Sequence, residues 1–405
     1  MQQLPERQAS WIPLKLHVFF IYGALSVFIG FFPLYLQEIG MNKFDIGSLL
    51  ALGSIVSLAA HPFWRIAGMR SQHLSRLMIL MIVLTILFAQ LMFGSSSYEA
   101  MTWSAVLLYF VLTPLLTQSG SLVMGYTSQH GQSYSTYRLW ASAGGGVTAA
   151  AAGVLMDKLG MVEMPTILTF LLLGSIAATS MLPRLTGRDQ EAVITLRGIR
   201  SSVTNRYFIA FLLLGMTMTV TLTINTAFLP LYMIELGGTK TMVGIAILIP
   251  SLLEVAAFQL YRRYLKHKIT VLFAALACFC LMSALRWELM AEAVTPLQTL
   301  WVQLLQSLTL GGFYYAGSQL ALLLIPRPFR ASAQAIFVLV WSGFSGVLGT
   351  LIGGWLFQSF GAQIMYKMCM IFALCAAGGF AVIWYLLRVH IYQPPLPGSK
   401  EAGTE

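Results

Sequence analysis

The chain has 405 residues, of which 58% are apolar and 9% charged, and it carries a net charge of +10. Soluble domains hold about a quarter charged residues and under half apolar ones, so a water-soluble fold is excluded. The charge does not mark a nucleic-acid binder, because the basic residues punctuate apolar runs instead of forming a patch on a polar surface.

A helix needs about 20 mostly apolar residues to cross a hydrocarbon core of about 30 Å. Runs of that kind predict spanning helices at 14–37, 44–65, 74–94, 101–126, 136–157, 164–183, 206–235, 241–262, 269–289, 297–325, 331–358 and 363–388. The first run is a full-length span, not a short apolar core ending in small residues, so no cleavable signal is expected. Twelve spans put both termini on one side. Of the 24 Lys and Arg residues only Lys43, Lys158, Lys240, Lys367 and Arg286 lie toward the other side. Arg65, Arg70, Arg76, Arg184, Arg188, Arg197, Arg200, Arg262, Arg263, Lys266, Lys268, Arg327 and Arg330 are among the rest. The positive-inside rule makes the side of the termini the cytoplasm. The longest polar stretch, Arg184 to Arg206, reads as a linker. The expected organisation is an N-terminal six-helix bundle over 1–183, a cytoplasmic linker over 184–205, and a C-terminal six-helix bundle with a short cytoplasmic tail over 206–405. Cys278, Cys280, Cys369 and Cys375 all fall in apolar segments without metal-type spacing, so they read as core residues and no metal site is expected. None of Asn42, Asn205 and Asn225 begins a glycosylation acceptor, which is compatible with a bacterial plasma membrane.

The chain repeats itself. Phe31 to Lys43 (FFPLYLQEIGMNK) reappears 197 positions on as Phe228 to Lys240 (FLPLYMIELGGTK), and the match continues through Gly47/Gly244, Ser54/Ser251 and Arg65/Arg262. At an offset of 201, Trp140, Gly145, Gly153 and Gly160 recur as Trp341, Gly346, Gly354 and Gly361. Two six-helix halves in the same orientation are the pattern of parallel-repeat transporters, whose solute site lies near the midplane where the repeats meet. Glu38 and Glu235, though paired by the repeat, sit at outer helix ends and read as solvated.

An ionisable group at mid-membrane costs about 2.5–3.5 kcal/mol on insertion scales and is a functional candidate by default. Glu254 is the one acid deep inside a span, 14 residues after Lys240 and eight before Arg262. Low dielectric favours its protonated form and a nearby cation its charged form, so it can carry a proton. Arg286, the one basic residue within the ninth span, is the expected cationic partner, with snorkelling to the outer interface as the alternative. Gln303 and Gln306 lie three apart on the tenth span, with Tyr314 beyond; amides and aromatics of this kind line a cavity for a neutral or weakly charged polar solute or join neighbouring helices. Gln118, Asn225 and Gln259 extend that set, whereas His17 and His61 read as packing residues near the inner face. The ladders Ala141/Gly145/Ala149/Gly153 and Gly349/Gly353 predict close helix crossings for the fifth and eleventh spans.

Tyr137-Arg138-Leu139-Trp140-Ala141-Ser142, Arg286-Trp287, Gln303-Leu304-Leu305-Gln306 with Phe313-Tyr314, and Arg330-Ala331-Ser332-Ala333-Gln334-Ala335 resemble the major facilitator superfamily over nearly the whole chain. Within it they are similar to the branch of lactose permease, nucleoside:proton symporters and phenylpropionate transporters. The resemblance implies the major facilitator fold, an all-α membrane protein of twelve transmembrane helices in two pseudo-symmetric six-helix bundles. It also implies a glutamate role for Glu254 and a cavity position for Arg138, whose planar fork would grip a carboxylate or a pair of hydroxyls. By position alone Arg138 would be a loop arginine near the inner end of its helix. The chain departs from the family in three places. The G-x-x-x-D-R loop motif appears only as Arg65-Ile66-Ala67-Gly68-Met69-Arg70, Gln306 and Thr309 replace a histidine and a glutamate, and the fourth span has no acid.

The leading functional reading is a monomeric, proton-coupled symporter of a sugar, nucleoside or aromatic acid in the plasma membrane, working without a cofactor, by alternating access. An efflux antiporter or uniporter of the same fold is the second reading, and a transporter-like sensor a third, disfavoured by the short tails. The absence of H-E-x-x-H, G-x-S-x-G and Walker motifs disfavours an enzyme or an ATP-driven pump.

Overall fold

A computed structural model describes residues 11–71, 73–95, 97–129, 134–182 and 196–389, so Arg184 and Arg188 of the expected linker lie outside the described residues. In lipid every backbone N–H and C=O must be satisfied within the chain, and every regular element among the described residues is helical. The helices are α1 (Ile12–Glu38), α2 (Lys43–Arg70), α3 (Leu74–Phe93), α4 (Tyr98–Gln129), α5 (Tyr134–Leu159), α6 (Met164–Ser180), α7 (Leu196–Thr204), α8 (Arg206–Glu235), α9 (Lys240–Tyr264), α10 (Ile269–Ala291), α11 (Pro296–Leu323), α12 (Arg330–Val338) and α13 (Ser345–Val389). A π-helical turn over Leu339–Phe344 joins α12 to α13.

Among the described residues, ten stretches are long and apolar enough to cross a membrane. One of them, Arg327–Val389, contains two spans, because Gly361 (φ 83°, ψ 171°) leaves the helical region inside α13. α11, whose Gln298, Gln303, Gln306 and Gln319 lower its apolarity, completes the expected twelve. Its start is specified locally by Pro296 in the first turn and a reciprocal cap between Thr295 and Gln298. α8 begins where the Asn205 side chain accepts from the Tyr207 and Phe208 N–H groups.

Two differences from the expected boundaries matter. α2 continues to Arg70, so the Arg65–Arg70 stretch expected as a loop is the last turns of the helix up to its end. It is held by packing: a Cβ on Gly68 would meet the Gln118 amide of α4 at 2.5 Å. Residues 196–204 of the expected linker form α7, whose Ser202 is buried and whose Arg200 is exposed.

The described residues form two compact units. One comprises Met1–Ile39, Leu52–Gln190 and Thr239–Leu252; the other comprises Gly40–Ala51, Glu191–Gly238 and Leu253–Glu405. Each unit therefore contains the opening turns of a helix, α9 or α2, from the other side of the repeat. In the first unit α1 packs on α5 and α6, and α3 on α4 and α6; in the second α8 packs on α13, and α10 on α11 and α13. The repeat is also written in the backbone. The four residues with positive φ among those described are Gly40 and Gly237, 197 apart, and Gly160 and Gly361, 201 apart. A Cβ at any of them would meet nothing within 4 Å, so the backbone conformation and not crowding requires glycine there.

Candidate functional site

The polar residues of the second unit gather along α11. In the first half of this helix Gln306 accepts from Asn225 Nδ2 of α8 at 3.4 Å, and Asn225 Oδ1 accepts from the Tyr366 hydroxyl of α13 at 3.2 Å. Tyr366 stacks on Trp287 of α10 with ring centroids 5.8 Å apart, and the Trp287 indole donates to Thr221 of α8 at 3.1 Å. Two amides, one phenol and one indole thus tie four helices together, with Asn225, Trp287 and Tyr366 all buried. Gln303, 1% exposed, reaches the Thr299 carbonyl and the Met290 sulfur.

Tyr314 lies eight residues further along α11, about 12 Å at the helical rise. Its hydroxyl is hydrogen-bonded to Ser342, which the π turn carries, and it is within electrostatic reach of Glu254. α9 and α11 pack closely at this level: a Cβ on Gly311 would stand 3.7 Å from the Glu254 carbonyl oxygen and 3.9 Å from its Cγ. The half-buried Glu254 is therefore beside Tyr314, at the opposite end of the α11 polar stripe from Gln303.

Several expected placements are changed. Arg286 does not pair with Glu254: Nε, Nη1 and Nη2 are all buried and without a hydrogen-bond partner. The two residues lie about five and 14 positions from the same end of their helices, so they differ in depth by roughly 13 Å. Nor does Arg286 snorkel, being 1% exposed with its guanidinium 3.8 Å from the centre of the Trp287 ring. Gln118 joins helices of the first unit, donating to the Trp64 carbonyl at 2.7 Å. Gln259 is on an exposed face of α9. Arg138 is half-buried in the first turns of α5, in the first unit. Cys278 and Cys375 are exposed, and only Cys280 and Cys369 are core residues.

His17 is fully buried and hydrogen-bonded on both ring nitrogens, Nδ1 to Thr179 at 2.6 Å and Ser175 at 3.2 Å, Nε2 to Ser119 at 3.1 Å. That satisfied ring fixes α1 against α4 and α6. His61 makes a long contact of 3.4 Å with Thr117.

Within each unit, helix ends carry a set of contacts that follow the repeat. Glu38 pairs with Lys240 at 2.6 Å in the first unit, and Glu235 pairs with Lys43 in the second, so neither glutamate is simply solvated. Asp157 accepts from the Lys240 and Thr241 N–H groups at 2.8 Å each and caps α9; its repeat counterpart Gln358 accepts from the Lys43 N–H at 3.0 Å and caps α2. Sequence reading found the four charged ends but not these pairings, which depend on which helix starts each unit captures. It also missed Tyr366 and Thr221; the only available signal was a polar atom inside an apolar run.

A model of the MFS_1 like family matches residues 11–368. The maltose permease of Geobacillus stearothermophilus is 28% identical over 383 residues, 92% of each chain. The uncharacterized transporter YwbF of Bacillus subtilis is 22% identical over 384 residues, again 92% of each. Among solved structures, the nucleoside transporter NupG superposes with a TM-score of 0.74 at 15% identity, covering 94% of this chain and 99% of that one. A bacterial homologue of the human lysosomal transporter Spinster gives 0.75 at 10% identity, covering 97% and 100%.

Proposed function

Because the chain belongs to the MFS_1 like family, within the major facilitator superfamily, we propose that it is a proton-coupled symporter of a small polar organic solute of the sugar, nucleoside or aromatic-acid class. The observation that carries this reading is the polar stripe along α11, where Gln303 and the hydrogen-bonded Gln306, Asn225 and Tyr366 gather at one level and Tyr314 stands beside the deep acid Glu254 at the other. Solute and proton sites on one helix couple through its movement, provided each is bound better in one conformation or in the presence of the other. The similarity to a maltose permease and the fold of a nucleoside transporter support the polar-solute class. Arg138 supplies a second grip on the solute, and the segments 1–183 and 206–405 rock as two bundles about that site.

Purified protein in proteoliposomes, offered maltose, nucleosides and aromatic acids, is expected to accumulate one class when the interior is made alkaline and to equilibrate it without the gradient. Accumulation against an opposite gradient would instead establish the antiport reading, and no transport of any class would end the proposal. The orientation follows from the basic residues: both termini and residues 184–205 face the cytoplasm of a bacterial cell. Single cysteines placed at positions 190 and 403 should be unreactive toward impermeant maleimide in intact cells and reactive in inverted vesicles; labelling from outside would reverse the topology.

A further inference from the structure

The guanidinium of Arg286 is a full positive charge, 1% exposed, with no hydrogen-bond partner on any of its three nitrogens. Native proteins leave few buried polar atoms unsatisfied, and an unpaired buried charge is the costliest kind. Apart from Oε2 of Glu288, the orphan groups on the two neighbouring helices are not scattered. Gln303 contacts Met290 across the antiparallel α10/α11 pair, so the same register sets Ser307, one turn along α11, opposite Arg286. Gln303 Oε1, Ser307 Oγ and, one turn back on α10, Ser283 Oγ are all buried without partners. Tyr366 and Cys369 of α13 close the electrostatic surroundings, and both are neutral groups in their protonated forms. The nearest acid in sequence, Glu288, is two positions along α10 and so points about 200° round the helix. Glu292, the next, is paired with Lys367 at 2.9 Å.

A cation, two hydroxyl donors and no carboxylate are the components of an anion site. We infer that Arg286, Ser283 and Ser307 bind a small monovalent anion or a carboxylate between α10, α11 and α13, with Trp287 stacked under the guanidinium to hold its plane. A rigid planar fork suits a carboxylate, while the hydroxyls also suit a halide. The site goes beyond the transport reading and stands independently of it, since it is assayed by binding alone.

The test is thermal unfolding of the purified wild type at constant ionic strength, with a bulky sulfonate (HEPES) progressively replaced by chloride, acetate or benzoate. A ligand that binds only the folded protein raises Tm saturably. The expected result is such a rise in the wild type, a weaker one in Arg286→Lys, and none in Arg286→Met. A rise with chloride identifies an inorganic anion; a rise with benzoate or acetate but not chloride identifies an acid group, as on a carried solute. Arg286→Met removes a buried charge and keeps the side-chain length, so it is expected to fold, and the Ser283→Ala/Ser307→Ala double variant, which leaves the arginine in place, should shift the saturation to higher anion concentration. A wild-type Tm identical in all four anions, or an anion dependence that survives in Arg286→Met, would overturn the inference.

Discussion

A Glu254→Gln protein is expected to exchange solute across proteoliposomes at a rate comparable to wild type while failing to accumulate it in response to a pH gradient. Glu254 lies 14 residues from one end of α9 and 10 from the other, whereas Asp157, Glu235, Glu288 and Glu292 are all at or near helix ends, where water and lysines are available. An acid held that deep costs about 2.5–3.5 kcal/mol on insertion scales, a cost avoided when it is protonated. Glutamine reproduces the protonated form in shape and hydrogen bonding, so α9 can keep its packing on Gly311 and Tyr314 through the transport cycle. What it cannot do is release the proton. One proton moving down one pH unit supplies about 1.4 kcal/mol, or about tenfold accumulation per unit in the wild type against none in the variant. Full gradient-driven accumulation by Glu254→Gln would remove Glu254 from the coupling role and direct attention to His61.

The twelve spans were legible because a run of about 20 apolar residues has few alternatives in a chain of this composition. The repeat was legible too, since two of the glycine pairs that recur at offsets 197 and 201, Gly40/Gly237 and Gly160/Gly361, are the four residues the backbone holds at positive φ among those described. α11 could be read as a span despite four glutamines, and those glutamines drew attention to it. What a polar residue does once inside a span was less legible. Gln118 and Gln306 look alike in sequence, yet one bonds the Trp64 carbonyl of a neighbouring helix and the other joins the Asn225–Tyr366 chain. The difference depends on which helix each amide faces. Arg286 and Glu254 looked like a pair because opposite charges in lipid need partners; their different depths along α9 and α10 decide otherwise. The π turn carrying Ser342 has no simple sequence mark, and it is what brings that hydroxyl to Tyr314.

The second large effect is expected from Gly47 and Gly244, which the repeat relates and which both lie at a backbone-to-backbone crossing. A Cβ on Gly47 would strike the Thr350 carbonyl oxygen and stand 3.0 Å from Gly354 Cα; one on Gly244 would strike the Ala149 carbonyl oxygen and stand 2.8 Å from Ala150 Cα. Neither obstacle is a side chain that can turn aside, so the opening turns of α2 and α9 must stand off from α13 and α5. The same turns hold the Lys43–Glu235 and Lys240–Glu38 pairs and the caps from Gln358 and Asp157, all of which are lost together. Overpacking costs about 1–3 kcal/mol at each site, so the double variant Gly47→Val/Gly244→Val disfavours this packed arrangement by about 2–6 kcal/mol. A shift of about 5.5 kcal/mol takes a two-state population from 1:99 to 99:1. In the proposed alternating-access cycle the packed and the separated arrangements are both visited, so the transport rate should fall by at least tenfold while the protein stays folded and keeps binding solute. A cysteine at Thr350, 5% exposed and beside Gly47 in the packed form, should label faster with a maleimide in the double variant than in the wild type. Unchanged labelling together with unchanged transport would mean that these crossings do not open during the cycle.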